Sequence, residues 1–144
     1  MSIKAIYTAH GTSVGGRGGG TAKTADGALD VKIDNPAEMG GKGDGVNPEQ
    51  LFAIGYSSCY LGAMKFVAGK MTPPVLIAPE ASTTVHVSFG PRDDGEGFGL
   101  EVVMDVSLPG VDKAQAQDIA TKAHVVCPYS HATKGNIEVE TILV

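Results

Sequence analysis

The chain holds two cysteines, Cys59 and Cys127, separated by 68 residues. A thiolate is a nucleophile, a metal ligand and a one-step route to a sulfenic acid or disulfide, so these two sulfurs set the range of available chemistry. Their spacing fits no zinc ribbon or finger, and no Cys-x-x-Cys occurs. Nothing at the N-terminus reads as a secretory signal, which points to a reducing cytoplasm. A purely structural disulfide does not suit that compartment. Two readings stay open at this point: a pair of inert buried thiols, or a redox pair.

A reactive Cys59 needs a cation. It falls about 12 residues past the expected start of its helix, beyond the first turn in which the helix dipole acts. Arg17 is a candidate, as the one charged residue in Gly15-Gly16-Arg17-Gly18-Gly19-Gly20. Bare backbone on either side would let a guanidinium approach a buried group; a solvated arginine in a loop is the plain alternative. Glu49 could hold that arginine through a bidentate pair. It could equally be a carboxylate favourably placed in the first turn of a helix. His124, Cys127 and His131 form the competing constellation, a metal-dependent hydrolase site. Two nitrogens and one sulfur fall short of a closed zinc site, and their spacing is not diagnostic. His10 and His86 have no partner spacing.

These residues must be positioned by one domain spanning residues 1–144, a length that buries one sizeable core. The balance of 42% hydrophobic against 19% charged residues is that of a globular chain, not a disordered one. A net charge of -5 argues against nucleic-acid binding. No apolar run is expected to reach the ~20 residues of a membrane span.

The element pattern is α+β. Ile3, Ala5 and Tyr7 alternate as a first strand. Leu29, Val31 and Ile33 alternate as another, with Asp26-Gly27 as a hairpin turn back to Thr21–Thr24. Asn47, Pro48 and Gln50 form a helix start with a capping box, and the helix runs to about Lys70. It is apolar nearly all round, so one chain would struggle to cover it, which points to a subunit interface. Thr83–Phe89 and Phe98–Leu108 form a hairpin. Asp112 caps a second helix whose Ile119, Ala120, Ala123 and Cys127 share a face, and Pro128 blocks its continuation. Ile137, Val139 and Thr141 alternate as a last strand in a largely antiparallel arrangement. The long helix also sets a constraint: ten residues separate Glu49 from Cys59, about 15 Å of straight helix. Either the helix breaks near Gly55 or Glu49 serves a second subunit.

Two segments resemble a known family. Asn47-Pro48-Glu49-Gln50-Leu51-Phe52-Ala53-Ile54-Gly55-Tyr56-Ser57-Ser58-Cys59 is similar to the first-cysteine motif of organic hydroperoxide resistance proteins, the Ohr branch of the OsmC/Ohr superfamily. Val126-Cys127-Pro128-Tyr129-Ser130-His131-Ala132-Thr133-Lys134-Gly135-Asn136-Ile137 resembles its second-cysteine motif. Gly15-Gly16-Arg17 and Asp26-Gly27 match in order and spacing. His131 and Lys134 depart from the family's frequent Asn and Arg at positions that carry no reactive group.

The resemblance implies antiparallel sheets packed around central buried helices in an intertwined homodimer. It implies a thiol-dependent peroxidase acting on alkyl or fatty-acyl hydroperoxides in oxidative stress defence. Cys59 would be the peroxidatic cysteine and Cys127 the resolving one, with Arg17 activating and Glu49 its carboxylate partner. No bound cofactor is implied. The reductant would be an external dithiol, notably the lipoyl group of a lipoylated protein; no nucleic acid or membrane partner is implied. An apolar enclosure near Cys59, drawn from Phe52, Ile54, Tyr56 and Met64, would favour organic over hydrogen peroxide. A non-catalytic ligand-binding or stress-associated dimer with inert thiols is the alternative.

Overall fold

Asn47 and Gln50 exchange side-chain bonds across the start of the long helix. Asn47 Oδ1 accepts from the Gln50 amide, and Gln50 Oε1 accepts from the Asn47 amide, both at 2.9 Å. This is the reciprocal cap that the sequence predicts. In the computed structural model, which describes residues 2–144, helix α1 spans Pro48–Lys70 without interruption. Gly55 does not break it.

Contacts along the backbone group the chain into two compact units, one up to Leu51 and one from Phe52 onward. The first unit carries a three-stranded sheet of β1 (Gly11–Val14), β2 (Gly20–Thr24) and β3 (Asp30–Ile33), in the order β1-β2-β3 and antiparallel throughout. The Asp26-Gly27 turn between β2 and β3 is as expected. Asp26 Oδ1 accepts from the Thr24 hydroxyl and the Ala28 amide, and Gly27 takes φ 73°. The first strand differs from expectation. Residues 3–8 lie outside the strands, and Ile3, Ile6 and Tyr7 are exposed. Their alternation marks a face that needs a sheet, but β2 pairs with Gly11–Val14 instead.

The second unit holds β4 (Ser82–Pro91), β5 (Phe98–Ser107), α2 (Lys113–Val126), α3 (Pro128–Thr133) and β6 (Val139–Leu143). Strands β4 and β5 form the expected antiparallel hairpin. Strand β6 pairs with β5 in parallel, the exception within the largely antiparallel arrangement that the sequence predicts. The α2–α3 connection carries the chain back across the sheet, so β6 enters in the same direction as β5. Asp112 caps α2 by accepting from the Ala114 and Gln115 amides. Pro128 does end α2, and it also occupies the first position of α3, where its missing N–H costs nothing. That second role was not anticipated.

The core of this unit forms between one stripe of α1 (Tyr56, Tyr60, Met64, Val67), the inner sheet face (Val85, Val102, Met104, Val106) and α2 (Ile119, Ala123). By length and composition α1 meets the requirement for a membrane span, contrary to the expectation from the sequence. Its buried stripe packs as a core helix does, and the Tyr60 hydroxyl donates to the Ala120 carbonyl of α2 at 2.7 Å. Tyr60→Phe is expected to cost about 1 kcal/mol, the net worth of one buried hydrogen bond. Chemical denaturation checks it through a lower midpoint with an unchanged slope. The opposite side of α1 is open in the single chain, with Ile54 at 65% and Phe66 at 56% exposure.

Candidate active site

The glycine-rich segment that carries Arg17 is the β1–β2 connection. Gly15 sits at φ 86°, and a Cβ there would meet the Gly19 carbonyl oxygen at 2.4 Å. A Cβ on Gly20 would meet the Val14 carbonyl oxygen at 2.0 Å. Only glycine lets the two strands close this tightly beneath the loop. The loop presents Arg17 to the first turn of α1. There Nη1 donates to Glu49 Oε2 at 3.0 Å and Nη2 to Oε1 at 2.5 Å, a bidentate fork. The Arg17 side chain keeps 35% of its exposure and Glu49 only 13%, so the carboxylate is the better shielded partner.

Hydrogen bonding to Arg17 holds the Glu49 carboxyl below the usual carboxylate range, against the opposing effect of burial. The same bond raises the Arg17 guanidinium further above its ordinary value. The folded carboxyl's affinity for protons is depressed. The pair's contribution is therefore present above the ordinary glutamate value near about 4.3, and is lost as pH falls through the lower folded value.

The second unit carries the sulfurs. Cys59 lies midway along α1 and is half-buried, while Cys127 is fully buried. Cys127 sits between α2 and α3 with φ -67° and ψ 120°, the extended residue that lets the chain turn from one helix into the next. Its Sγ approaches the Cys59 Sγ at 3.4 Å, and both thiols are free. A disulfide bond of about 2.05 Å asks for only a small further approach. Burial pushes the Cys59 thiol pKa up; a backbone hydrogen bond from Tyr129 pulls it down, and the neighbouring Cys127 pushes it up again. Nothing in this balance makes Cys59 a thiolate at neutral pH, so the need for a cation stands.

The structure thus pairs Arg17 with Glu49 in one unit and Cys59 with Cys127 in the other. It revises the expected apolar enclosure. Ile54 faces outward, and Met64 is buried within the core. Phe52 and Tyr56 remain close, joined by Tyr129, which sequence reasoning missed. The three ring centroids lie 5.6–6.0 Å apart, with Phe52 and Tyr56 edge-to-face at 5.8 Å. The available signal was Gly55: a Cβ there would meet the Tyr129 hydroxyl at 3.0 Å, so a side-chain-free position mid-helix seats this ring. An open cleft of about 800 Å³ at the far end of the β4–β5 hairpin, lined by Phe89, Arg92, Phe98 and Ile137 among others, includes neither cysteine.

The metal alternative loses its ligands to other bonds. His124 Nδ1 bonds the Ser130 hydroxyl and Nε2 the Thr141 hydroxyl, each at 2.9 Å. His131 is exposed on α3. Among the described residues no cluster of three or more His, Cys, Asp or Glu side chains could hold a metal. His86 instead bonds Asp105 across the β4–β5 pair.

Residues 41–142 match the family model described as OsmC-like protein. An organic hydroperoxide resistance protein of Xanthomonas axonopodis pv. citri is 48% identical over 141 residues, covering 97% of this chain and 96% of the relative. The chain belongs to the Ohr branch of the OsmC/Ohr family. Solved structures of this family share its fold. The organic hydroperoxide resistance protein of Elizabethkingia anophelis superposes with a TM-score of 0.88 at 42% identity, covering 98% of each chain. OhrB of Bacillus subtilis gives 0.86 at 37% identity, covering 97% of this chain and 100% of that one. The α+β architecture of two sheets and buried helices is therefore the OsmC/Ohr fold.

Proposed function

We propose that this protein is a thiol-dependent peroxidase that reduces organic hydroperoxides to alcohols as part of oxidative stress defence. The observation that carries the reading is the 3.4 Å approach of two free thiols that are distant in sequence. Relatives named for organic hydroperoxide resistance support the substrate class.

In this reading the Cys59 thiolate attacks the terminal oxygen of R–O–O–H. The O–O bond breaks, Cys59 becomes a sulfenic acid, and the alkoxide takes a proton to leave as R–OH. Arg17 stabilises the thiolate and the charge developing on the departing oxygen. Glu49 is a positioning residue that holds the guanidinium by its fork. Cys127 then attacks the Cys59 sulfenic sulfur, and the thiol proton leaves with the hydroxyl as water. A dithiol, such as a lipoyl group on a protein, reopens the disulfide through a mixed disulfide and is itself oxidised.

An unbroken α1 places Glu49 about 15 Å along the axis from Cys59. The reading therefore brings the Arg17–Glu49 pair of one copy to the sulfurs of a second. The uncovered apolar side of α1, with Ile54 and Phe66, supports a dimer that buries it. The aromatic group of Phe52, Tyr56 and Tyr129 would receive the apolar part of the hydroperoxide.

Arg17→Ala is expected to raise the apparent pKa of Cys59 and slow its oxidation about a hundredfold, the scale of losing one charge-stabilising donor. Rapid-mixing measurement of the first oxidation step across pH checks this; an unchanged rate contradicts the role of Arg17. The function itself is tested by following consumption of tert-butyl hydroperoxide with dihydrolipoamide, against hydrogen peroxide with thioredoxin. Faster turnover of the first pair is expected. Equal or reversed rates contradict the assigned substrate and reductant, and no turnover with either contradicts the peroxidase reading.

A further inference from the structure

A chain of buried and half-buried hydroxyls, with one half-buried imidazole, surrounds the Cys127 junction. Ser130 Oγ bonds the Tyr56 hydroxyl at 2.9 Å and His124 Nδ1 at 2.9 Å. The Tyr56 hydroxyl also lies 3.2 Å from Thr133 Oγ1. His124 Nε2 continues the chain to Thr141 on β6. Tyr60 packs its ring against the His124 imidazole, with centroids 4.5 Å apart, and its hydroxyl donates to the Ala120 carbonyl. Tyr56, Ser130 and Thr133 are all buried. The two tyrosines flank Cys59 on α1, three residues before it and one after. His124 and Ser130 flank Cys127, three residues before and three after.

The covalent chain alone does not hold this geometry. Cys127 is a non-helical break between α2 and α3, and such a break is where two helices can pivot. The His124–Ser130 bond spans the break from the last turn of α2 to the first turn of α3. The Tyr56–Ser130 bond fastens the same hydroxyl to the helix that carries Cys59. Packing alone could have filled this space with alanine or valine at no polar cost. Buried hydroxyls and a half-buried imidazole stand here instead with their bonding satisfied, which fixes one arrangement and penalises others.

We infer that the Tyr56–Ser130–His124–Thr141 network is a positioning device that clamps the α2–α3 break so that the Cys127 thiol stays in attacking range of Cys59. This rests on the peroxidase reading and adds to it. The network governs the second chemical step, in which Cys127 displaces hydroxide from the Cys59 sulfenic acid, and leaves the first to Cys59 and its activating cation. Ser130 is the joint of the network, because one oxygen serves both α1 and α2. Displacing reacting atoms by about 1 Å costs on the order of a hundredfold when a step depends on proximity.

The test separates the two steps in Ser130→Ala, Ser130→Thr and His124→Asn, using tert-butyl hydroperoxide at one equivalent. Sulfenic acid formation at Cys59 is followed by trapping with a dimedone reagent, and disulfide formation by intact mass after acid quench. In Ser130→Ala the first step should stay within about twofold of wild type, while disulfide formation slows by about tenfold or more. Excess peroxide should then convert more Cys59 to sulfinic acid. Ser130→Thr keeps a hydroxyl and should restore most of the rate, which a loss of fold would not allow. His124→Asn keeps one bonding group near Nδ1 and should fall between them.

A second readout needs no peroxide. In a dithiol redox buffer, the disulfide equilibrium constant of Ser130→Ala should fall about tenfold, making the reduction potential about 30 mV less negative. Disulfide formation in Ser130→Ala within twofold of wild type overturns the inference. So does a first step that slows as much as the second, or an unchanged potential. Failure of the wild-type protein to consume peroxide overturns the functional reading instead, and the potential shift then still decides whether the clamp exists.

Discussion

Cys59→Ser is expected to abolish organic hydroperoxide turnover, a loss on the order of ten-thousand-fold or more, as when a covalent nucleophile is removed. A serine hydroxyl is a far weaker nucleophile than a thiolate and does not form the oxygen-transfer product that a sulfenic acid represents. Oxygen replaces sulfur at nearly the same volume on a helix whose neighbouring Tyr56 and Tyr60 are fully buried. The fold should therefore persist, with a stability change below about 1.5 kcal/mol. Steady-state assay with circular dichroism as a fold control checks both halves. Retained turnover in a folded Cys59→Ser variant removes the central role of this thiol.

Cys127→Ser is expected to behave differently, because it fails one step later. The variant should consume about one equivalent of peroxide per site and then stall, because no thiol remains beside the sulfenic acid. Further peroxide should carry Cys59 to sulfinic and sulfonic acid. Counting the equivalents consumed and weighing the product distinguish this from wild type, which cycles with dithiol. The prediction follows from geometry: Cys127 is fully buried, and its sulfur lies 3.4 Å from Cys59. Normal cycling of Cys127→Ser with a dithiol would assign resolution to the external reductant.

Local signals in the sequence carried much of this arrangement. The Asn47–Gln50 box, the Asp26-Gly27 turn and the Asp112 cap each depend on residues within a few positions of one another, so short-range chemistry was enough to place them. The 32-residue separation of Arg17 and Glu49 had no such signature. A guanidinium among glycines and a carboxylate in a first helical turn each had a plain explanation alone, and their pairing is a tertiary fact. The direction of β6 had no signature either, for a related reason. Alternation in Ile137, Val139 and Thr141 reports which faces are apolar, but not whether the strand runs with or against its neighbour. Ile3, Ala5 and Tyr7 show the converse error, since a period of two states a preference that only a pairing partner can satisfy.

Tyr129, Ser130 and Thr133 were present in the second-cysteine motif but had no role on sequence grounds. A helix of six residues that begins at a proline gives little periodicity to read. The buried hydroxyls of Ser130 and Thr133 and the packing of the Tyr129 ring become meaningful only against Gly55, Tyr56 and His124, which come from other elements.

Formation of a disulfide between Cys59 and Cys127 on oxidation is tested most directly by intact-mass analysis of the fully reduced protein after one equivalent of tert-butyl hydroperoxide, without any reductant present. The account predicts a mass lower by about two hydrogens, with fragments joining the two cysteine-bearing peptides. An unchanged mass, as two inert thiols in a non-catalytic dimer would give, would contradict it.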